Sequence, residues 1–591
     1  MTRQSFHSAW DAWTPRREPY NTLFNESERK RFFSSQYAYN TKKRTVVITA
    51  FENNLACLGG LASVTRYLPH YLAAQGERVV FISPFYKNIA AVKNARAAGE
   101  IAELFSNQHC VLAGFRRNIT CYQHNRAEFP CYYIGCEDYF APHNHPYGYD
   151  NEARLVEDAL AFSGIVPFVL NRLHLTNDIL IHCHDWETAL LAVSSKIAVL
   201  EGILKSVRIV LTLHNSYDAG LPAGSYKNCF GREVAGGTVL QASIPFCDGP
   251  LTTVSTPFAF ELMHDPLQTG VYVGHLQSHF TMNPPVGIRN GMFRPSPRLF
   301  SAKDFINARH GDREVFETKK NVFYRKLIEI LSRTRDDRIT GRLTFPGDSM
   351  QVPIFFMSGR FDIMQKGYDV IFHAFKRLQR GLAKLIFSPS NPYDTANSSD
   401  YSFFVECACA CEGDITIWPF FIPGTKYPYF IGGSSYLVMP SFYEPFGAAT
   451  EGFSCGTPVI ARGTGGLWEQ VQSAYPCVIP SYYSSILNDF TDSNLPPTGI
   501  VYREEFSGEQ VDEEWRRILS SSPHDRMSSD LYRAMVDAAC DALEKAVTLF
   551  HDKEKYYRLV MHGWHSLDKF NWNDTIENYR RIYSYAERNM L

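Results

Sequence analysis

The chain has 591 residues and a net charge of −2, with 45% hydrophobic and 20% charged residues. This balance is typical of an ordinary globular protein and excludes a polycation, so we expect no nucleic-acid partner. No run of about 18 apolar residues occurs, which predicts no membrane-spanning helix. The first 20 residues lack the apolar core of a secretory signal, and the 14 cysteines lie mostly in apolar segments. We therefore expect reduced thiols and a cytoplasmic location.

The first half of the chain alternates between predicted strands and helices. After a polar, aromatic stretch over residues 1–43, the run RTVVITAFE predicts a buried strand over 44–52. A Gly-Gly turn then opens a predicted helix at about 60–75, and ERVVFISPFY predicts the next strand. Strand, glycine turn, helix and strand form a βαβ unit, and the alternation continues to about residue 300. This pattern predicts one Rossmann-like α/β domain.

A second α/β domain follows a charged helical stretch. Residues 301–345 predict helix, and the alternation restarts at VPIFFMSGRFD. The chain after about residue 500 reads mostly as helix and ends in the aromatic segment FNWNDTIENYRRIY. We therefore divide the chain into 1–43, 44–300, 301–565 and 566–591. Two doubly wound domains place the carboxyl ends of their strands at a central cleft, where ligands are expected to bind.

Three loops at predicted strand ends of the first domain carry polar or glycine residues. Gly59 and Gly60 let the backbone approach an anion closely, although such a pair also serves tight strand-to-helix packing. In HCHDW, His184 and Asp185 either contact a polyhydroxyl ligand or form a buried network with each other. His214 and Asn215 stand at the next strand end.

In the second domain, Arg360 and Lys366 flank the loop after a buried strand. Two cations at a strand-end cleft are stabilised by an anion such as a diphosphate. The alternative is that both are solvated surface cations.

The stretch SFYEPFGAATEGFSCGTPVIARGTGGL, residues 441–467, is the most specific signal in the chain. Glu444 follows a strand, Gly447 lies in the turn, and Glu451 falls in the helix behind it. A second strand then leads to a glycine-rich turn that contains Thr464, Gly465 and Gly466. We expect the two carboxylates to accept hydrogen bonds from sugar and ribose hydroxyls, and the turn to bind phosphate, rather than the two acids to act as an acid/base pair.

Ten segments in chain order carry a resemblance to a known family. They are GGLASV, HPYGYDNEARLVEDALAFSGIVPFVL, HCHDWETALL, TLHNSYDAG, TVSTPFAFEL, GIRNGM, GRFDIMQKGYD, YLVMPSFYEPFG, RGTGGL and FNWNDTIENYRRIY. Together, over about 44–591, they resemble the glycogen and starch synthases, which are retaining glycosyltransferases of the GT-B fold.

The resemblance implies a fold and an activity. It implies two Rossmann-like domains facing a central cleft, with 44–300 binding the acceptor and 301–565 the donor. The helix over 566–591 would pack back on the N-terminal domain. The implied reaction moves glucose from ADP-glucose or UDP-glucose to the non-reducing end of an α-1,4-glucan, without a metal or another cofactor. The expected partners are thus a nucleotide-sugar and an α-glucan.

The resemblance also implies roles for individual residues. The expected catalytic residues are His184, Arg360, Lys366 and Glu444. Arg360 and Lys366 would hold the diphosphate, Glu444 would orient the glucosyl hydroxyls, and His184 would lie beside the glucose, with its carbonyl near the reacting centre. The expected donor-binding residues are Gly59, Gly60, His214, Asn215, Asn290, Gly447, Glu451, Thr464, Gly465 and Gly466.

Several positions depart from the family pattern. Cys57 stands where the family usually has a lysine, and Glu187 stands where the synthases often have histidine. Arg360 and Lys366 are six residues apart, as in the animal and fungal enzymes, and Glu451 follows Glu444 by seven residues where eight is usual.

Two alternatives follow from these departures. One is a glucosyltransferase acting on a protein, a lipid or another glycan. The other is a catalytically weak regulatory protein that binds a nucleotide-sugar.

Overall fold

The computed structural model describes residues 17–588 except for short gaps, so residues 1–16 of the predicted extension lie outside it. The gaps are 113–114, 294–298, 302, 305, 307–312, 346–350, 391–397, 484–485, 487–494 and 507–509. The described chain forms two compact units. The N-terminal unit contains the chain to Met263, Tyr272–Gly291 and the chain from Trp572. The C-terminal unit contains His264–Val271 and Met292–Asn571.

The N-terminal unit is built on a nine-stranded sheet. Its strands are β1 (Thr45–Thr49), β2 (Arg78–Pro84), β3 (Ile101–Leu112), β4 (Phe115–His124), β5 (Cys131–Cys136), β6 (Ile179–His184), β7 (Val207–Leu213), β8 (Thr252–Thr253) and β9 (Val286–Gly287). Their order is β3-β4-β5-β2-β1-β6-β7-β8-β9. Strands β1, β6 and β7 are parallel neighbours and buried along their whole length, which explains their predominantly apolar sequences.

An antiparallel edge extends this sheet. Strand β3 pairs antiparallel with β4, and β4 pairs antiparallel with β5, before β5 joins β2 in parallel. The sequence pattern did not indicate this hairpin. Strand β3 is mostly exposed, so it lacks the buried apolar run that marks the parallel strands.

The described chain begins with two helices, and further helices alternate with the strands of the sheet. They are α1 (Tyr20–Leu23), α2 (Glu26–Gln36), α3 (Leu61–Ala74), α4 (Ala90–Ala97), α5 (Glu152–Arg172), α6 (Trp186–Ala189), α7 (Leu191–Leu200), α8 (Ser225–Phe230), α9 (Val239–Ser243), α10 (Thr256–His264) and α11 (Gln277–Met282). A capping box between Asn25 and Glu28 starts α2. Glu28 also pairs with Arg232 at 2.7 Å, which fixes this helix to the rest of the unit.

The C-terminal unit has a six-stranded, wholly parallel sheet. Its strands are β10 (Ile354–Arg360), β11 (Lys384–Ser390), β12 (Ile415–Ile417), β13 (Tyr436–Met439), β14 (Val459–Arg462) and β15 (Gly499–Tyr502), in the order β12-β11-β10-β13-β14-β15. Strands β10 and β13 are neighbours, so the loops that follow them lie side by side. These are the loops that carry the predicted donor residues.

The helices of the C-terminal unit follow the strands in alternation and then form a helical tail. They are α12 (Arg313–Arg333), α13 (Tyr368–Phe375), α14 (Ser398–Ala410), α15 (Tyr427–Gly433), α16 (Ala449–Ser454), α17 (Leu467–Gln470), α18 (Val511–Ser520), α19 (Asp530–His551) and α20 (Lys553–Ser566). None of the helices in the described ranges is both long and apolar enough to cross a bilayer.

The last helix, α21 (Trp572–Arg588), belongs to the N-terminal unit. Trp572 stacks on Tyr71, with ring centroids 6.2 Å apart, and Tyr583 donates or accepts a hydrogen bond of 2.9 Å with His182 of β6. The expected return of the closing helix to the N-terminal domain is confirmed.

Lys320 is a fully buried amine on helix α12, and it gives a prediction of pH dependence. Its Nζ donates to the carbonyl of Ser434 at 2.6 Å and to Oγ1 of Thr457 at 3.0 Å. Burial lowers the pKa of Lys320 to about 7. Between this value and the unfolded-state pKa of about 10.4, the unfolded chain binds a proton that the folded chain does not, so stability should rise with pH.

We therefore expect the free energy of unfolding of the wild type to rise, relative to that of Lys320→Met, by about 1 kcal/mol per pH unit between pH 7.5 and 10. Urea unfolding at several pH values measures this difference. Lys326→Met is the matched control, because Lys326 lies on the same helix and is half exposed. Parallel stability curves for wild type and Lys320→Met would contradict the assignment.

Candidate functional site

In the C-terminal unit, the loop between β10 and α13 carries both predicted cations. Arg360 is the last residue of β10, and Lys366 lies two residues before the start of α13. The Asp362 side chain accepts the amides of Met364 and Gln365, while its carbonyl accepts the amide of Lys366 at 2.8 Å. This turn accommodates the six-residue spacing between the two cations.

Gln365 holds the Arg360 guanidinium in place. Its Oε1 accepts from Nη2 of Arg360 at 2.7 Å, and its side chain is buried. The Gln365 carbonyl accepts the amide of Phe442 at 2.7 Å, which connects this loop to the loop after β13. Gln365 is therefore a positioning residue that sequence reasoning missed. Its only local signal was its place directly before Lys366.

The loop after β13 brings Glu444 against Lys366. Nζ of Lys366 lies 2.7 Å from Oε2 of Glu444, and Ser441 donates to the same oxygen at 2.8 Å. Both charged side chains are largely buried, with 18% exposure for Lys366 and 8% for Glu444. The structure therefore brings three of the four predicted catalytic residues onto adjacent loops, where Lys366 pairs with Glu444 and Arg360 ends the neighbouring strand.

Two glycines of this region are required by geometry. Gly447 has φ +94°, and a Cβ there would lie 2.9 Å from a Leu467 side-chain carbon. A Cβ on Gly466 would lie 2.3 Å from the carbonyl oxygen of Phe446. These contacts pack the turn at 463–466 directly against the Glu444 loop, which only glycine permits.

The remaining predicted donor-binding residues of this unit lie close by. The Gly466 amide donates to the Glu444 carbonyl at 2.9 Å, so it is engaged within the protein. Thr464 and Gly465 accept the amides of Leu467 and Trp468 at the start of α17. Glu451 lies in the first turn of α16 and is half-buried.

In the N-terminal unit, two predicted histidines form a pair. Nδ1 of His184, at the end of β6, lies 2.7 Å from Nε2 of His214, which follows β7. Burial lowers the pKa of His214 to about 3 and lowers that of His184 as well. Both rings are therefore neutral near pH 7, so one nitrogen donates and the other accepts. The carbonyl of His184 accepts the Thr188 hydroxyl at 2.9 Å.

Asp185 organises the loops after β6 and β7. Its backbone has φ 61° and ψ 176°, a region that is costly for residues other than glycine. The carboxylate accepts the His214 amide at 2.6 Å and the Asn215 side chain at 3.2 Å, and these bonds hold the strained conformation. Asp185 therefore takes part in a buried network, which was one of the two alternatives for HCHDW. Its carboxylate bonds with the neighbouring loop and not with His184.

Glu52 occupies the predicted anion-binding loop. Its Oε2 accepts the amide of Leu58 at 3.0 Å and that of Gly59 at 2.9 Å, and the residue is 4% exposed. Gly60 caps helix α3. A phosphate that contacts the Gly59 amide would have to displace this carboxylate. Glu52 had no place among our predicted site residues, because nothing in the local pattern links it to Gly59.

Two more residues of this unit carry buried polar atoms. Oε2 of Glu187 and Oδ1 of Asn290 have no hydrogen-bond partner among the described residues. Burial raises the pKa of Glu187, and the charge of Asp185 raises it further. Burial likewise raises the pKa of Asp185 to about 8. Burial thus disfavours the charged form of both carboxyl groups.

Two family models match consecutive parts of the chain. Residues 45–275 match the starch synthase catalytic domain, and residues 346–484 match glycosyl transferases group 1. The first match covers most of the N-terminal unit, and the second includes Arg360, Lys366, Glu444 and the turn at 463–466.

Similar proteins match over nearly the whole chain. A glycogen synthase from Desulfitobacterium hafniense is 24% identical over 89% of this chain and 95% of its own length. A glycogen synthase from Alkaliphilus metalliredigens is 23% identical over 89% and 96%. The fold matches the catalytic domain of starch synthase IV from Arabidopsis thaliana, solved with ADP and acarbose, at a TM-score of 0.65 and 20% identity over 92% of this chain and 99% of that one. The chain is a glycosyltransferase with the GT-B fold, and it is similar to the glycogen and starch synthases.

Proposed function

We propose that the chain transfers glucose from ADP-glucose or UDP-glucose to the non-reducing end of an α-1,4-glucan, with retention of the anomeric configuration and without a metal. The observation that carries this proposal is the cluster of Arg360, Lys366 and Glu444 on adjacent loops of the C-terminal unit. It combines two cations for a diphosphate with one carboxylate that accepts sugar hydroxyls.

In this proposal the two cations stabilise charge as it develops on the leaving phosphate. Glu444 accepts hydrogen bonds from the glucosyl hydroxyls, which are donors, and so it fixes the orientation of the sugar. The departing phosphate takes the proton of the attacking hydroxyl, so no separate general base is needed. The His184–His214 pair is neutral, so it contributes hydrogen-bonding groups rather than a charge.

The Lys366–Glu444 contact bears directly on donor binding. The ion pair gives each of these two buried groups a partner of opposite charge, because an isolated buried charge is costly. When the donor binds, its diphosphate pairs with Lys366 in place of Glu444, and its sugar hydroxyls donate hydrogen bonds to the Glu444 carboxylate. The site thus exchanges an internal pair for two contacts to the same molecule.

A donor and acceptor screen tests the proposal. The chain would be incubated with ADP-, UDP- and GDP-glucose, each with glycogen, simple sugars, lipid extracts and proteins, and products identified by mass spectrometry. Glucan elongation supports the proposal. Glucosylation of a protein or lipid alone would establish the first alternative, and nucleotide binding without any transfer would establish the second.

Replacing Cys57 with lysine should increase the affinity for a nucleoside diphosphate. It is exposed and stands where the family has a lysine. If the Gly59 loop lies near the donor diphosphate, Cys57→Lys adds a charge-assisted hydrogen bond and should lower the Kd for ADP or UDP roughly tenfold. Calorimetry measures this, with Cys57→Met as the neutral control. An unchanged or higher Kd for the lysine variant would show that the loop does not contact the diphosphate.

A further inference from the structure

A network of five buried or half-buried side chains lies behind the two donor loops of the C-terminal unit. We call it the arginine network, and its members are Asp265, Arg462, Tyr482, Arg503 and Glu504. The two arginines and two carboxylates are each at most 7% exposed. Their formal charges cancel, which makes their burial together possible.

Arg462 connects the network to the loop that carries Glu444. It forms a two-pronged ion pair with Glu504, whose Oε2 accepts from Nε at 2.9 Å. Its remaining Nη1 donates to the Phe442 carbonyl at 2.7 Å. The carbonyl of Phe442, two residues before Glu444, is therefore held by a fully buried side chain that is itself paired with Glu504.

Arg503 connects the same network to the glycine-rich turn. Its Nη1 donates to the Gly463 carbonyl at 2.6 Å. Its other nitrogens contact Tyr482 at 3.0 Å, Asp265 at 3.4 Å and Glu504 at 3.1 Å. Tyr482 in turn donates to Asp265. The contacts with Tyr482, Asp265 and Glu504 hold the guanidinium in one orientation.

Asp265 comes from a distant part of the chain. It lies in the short segment His264–Val271, whose flanking residues on both sides belong to the N-terminal unit. Its backbone is fixed locally, because its carbonyl accepts the amides of Gln268 and Thr269. The orientation of Arg503 thus depends on a residue more than 200 positions earlier in the sequence.

Buried ion pairs add little net stability compared with apolar packing, but they fix geometry. Here each arginine directs one N–H group at the backbone of a different donor loop. We infer that Arg503, oriented by Asp265 and Tyr482, is a positioning residue that sets the turn at 463–466 for the diphosphate of the donor, while Arg462 sets the Glu444 loop. This inference rests on the proposed function, because it takes these loops as the donor site.

The test uses two variants. Arg503→Lys keeps the positive charge but loses the branched guanidinium donors, and Tyr482→Phe removes only the hydroxyl that contacts Arg503 and Asp265. We expect Arg503→Lys to raise the donor KM and the Kd for ADP or UDP by about 10- to 100-fold, and Tyr482→Phe by a smaller factor, with the acceptor KM unchanged. Arg516→Met is the control, since Arg516 is an exposed arginine that donates to the Gly270 carbonyl. Hydrogen–deuterium exchange should increase in peptides covering 460–468 for the Arg503 and Tyr482 variants only.

Unchanged donor KM and nucleotide Kd in variants that fold would overturn the inference, even if their melting temperatures fall. Should Arg503→Lys fail to fold, Tyr482→Phe decides by the same measurements. If wild type binds neither ADP nor UDP, the proposed function has failed. The inference as stated then fails with it, and unchanged exchange at 460–468 would show separately that the network does not hold the turn.

Discussion

Alanine in place of Lys366 or Glu444 should lower turnover by about 10²- to 10⁴-fold while the chain stays folded. Lys366→Ala removes a cation that stabilises the leaving phosphate, and Glu444→Ala removes the acceptor for the glucosyl hydroxyls. Each single variant also leaves the other member of a 2.7 Å pair without its partner. Steady-state kinetics with a nucleotide-glucose and glycogen measures the loss.

The double variant separates these contributions. Because the two residues act in one cluster, the effect of replacing both should be clearly smaller than the product of the single effects. Lys376→Ala and Glu412→Ala are the controls, since both residues are exposed and lie in the same unit. Near-wild-type turnover in either single variant would show that our assignment of the site is wrong.

Arg526→Met should cost about 3–5 kcal/mol of stability, because it leaves a buried carboxylate without its cation. Asp369 and Arg526 are both fully buried, with Oδ2 of Asp369 accepting from Nη1 of Arg526 at 2.9 Å and from Tyr532 at 2.5 Å. Arg526 also donates to the Ile363 carbonyl at 3.1 Å, inside the loop that carries Arg360 and Lys366. The variant should therefore loosen that loop as well.

Urea unfolding of the chain, followed by circular dichroism, measures this loss. Arg533→Met is the matched control: Arg533 pairs with Asp530 on the surface, and such pairs contribute about 0–1 kcal/mol. The double variant Arg526→Met with Asp369→Leu should recover part of the loss, since it removes the unpaired charge. Equal stability of the Arg526 and Arg533 variants would contradict the account.

The sequence predicted well those parts of the fold that local patterns encode. Strands β1, β6 and β7 are fully buried, the first four residues of β10 are buried and apolar, and parallel strands place the residues after them at one edge. Arg360, Lys366 and Glu444 could therefore be predicted to lie at strand ends of one domain, facing the cleft, whereas the pairing of β10 with β13 is seen only in the structure. Strand β3 was missed because it is mostly exposed and has no such run.

The partners within the site could not be predicted, because they depend on distances between remote segments. Glu52 was treated as the end of a strand, yet it accepts the Gly59 amide seven residues later. Gln365 was not predicted as a site residue, although its side chain accepts a hydrogen bond from Arg360. Asp265 gave no signal at all, and only the folded chain brings it to Arg503. The roles assigned to the site residues from the family resemblance stay predictions.

Transfer of labelled glucose to glycogen tests the central claim most directly. The purified chain would be incubated with radiolabelled ADP-glucose or UDP-glucose and glycogen, and the glycogen then digested by an enzyme that removes α-1,4-linked glucose from non-reducing ends. We predict that label enters glycogen, that the digestion releases it, and that Glu444→Ala incorporates almost none. If glycogen stays unlabelled with both ADP-glucose and UDP-glucose, the account is contradicted.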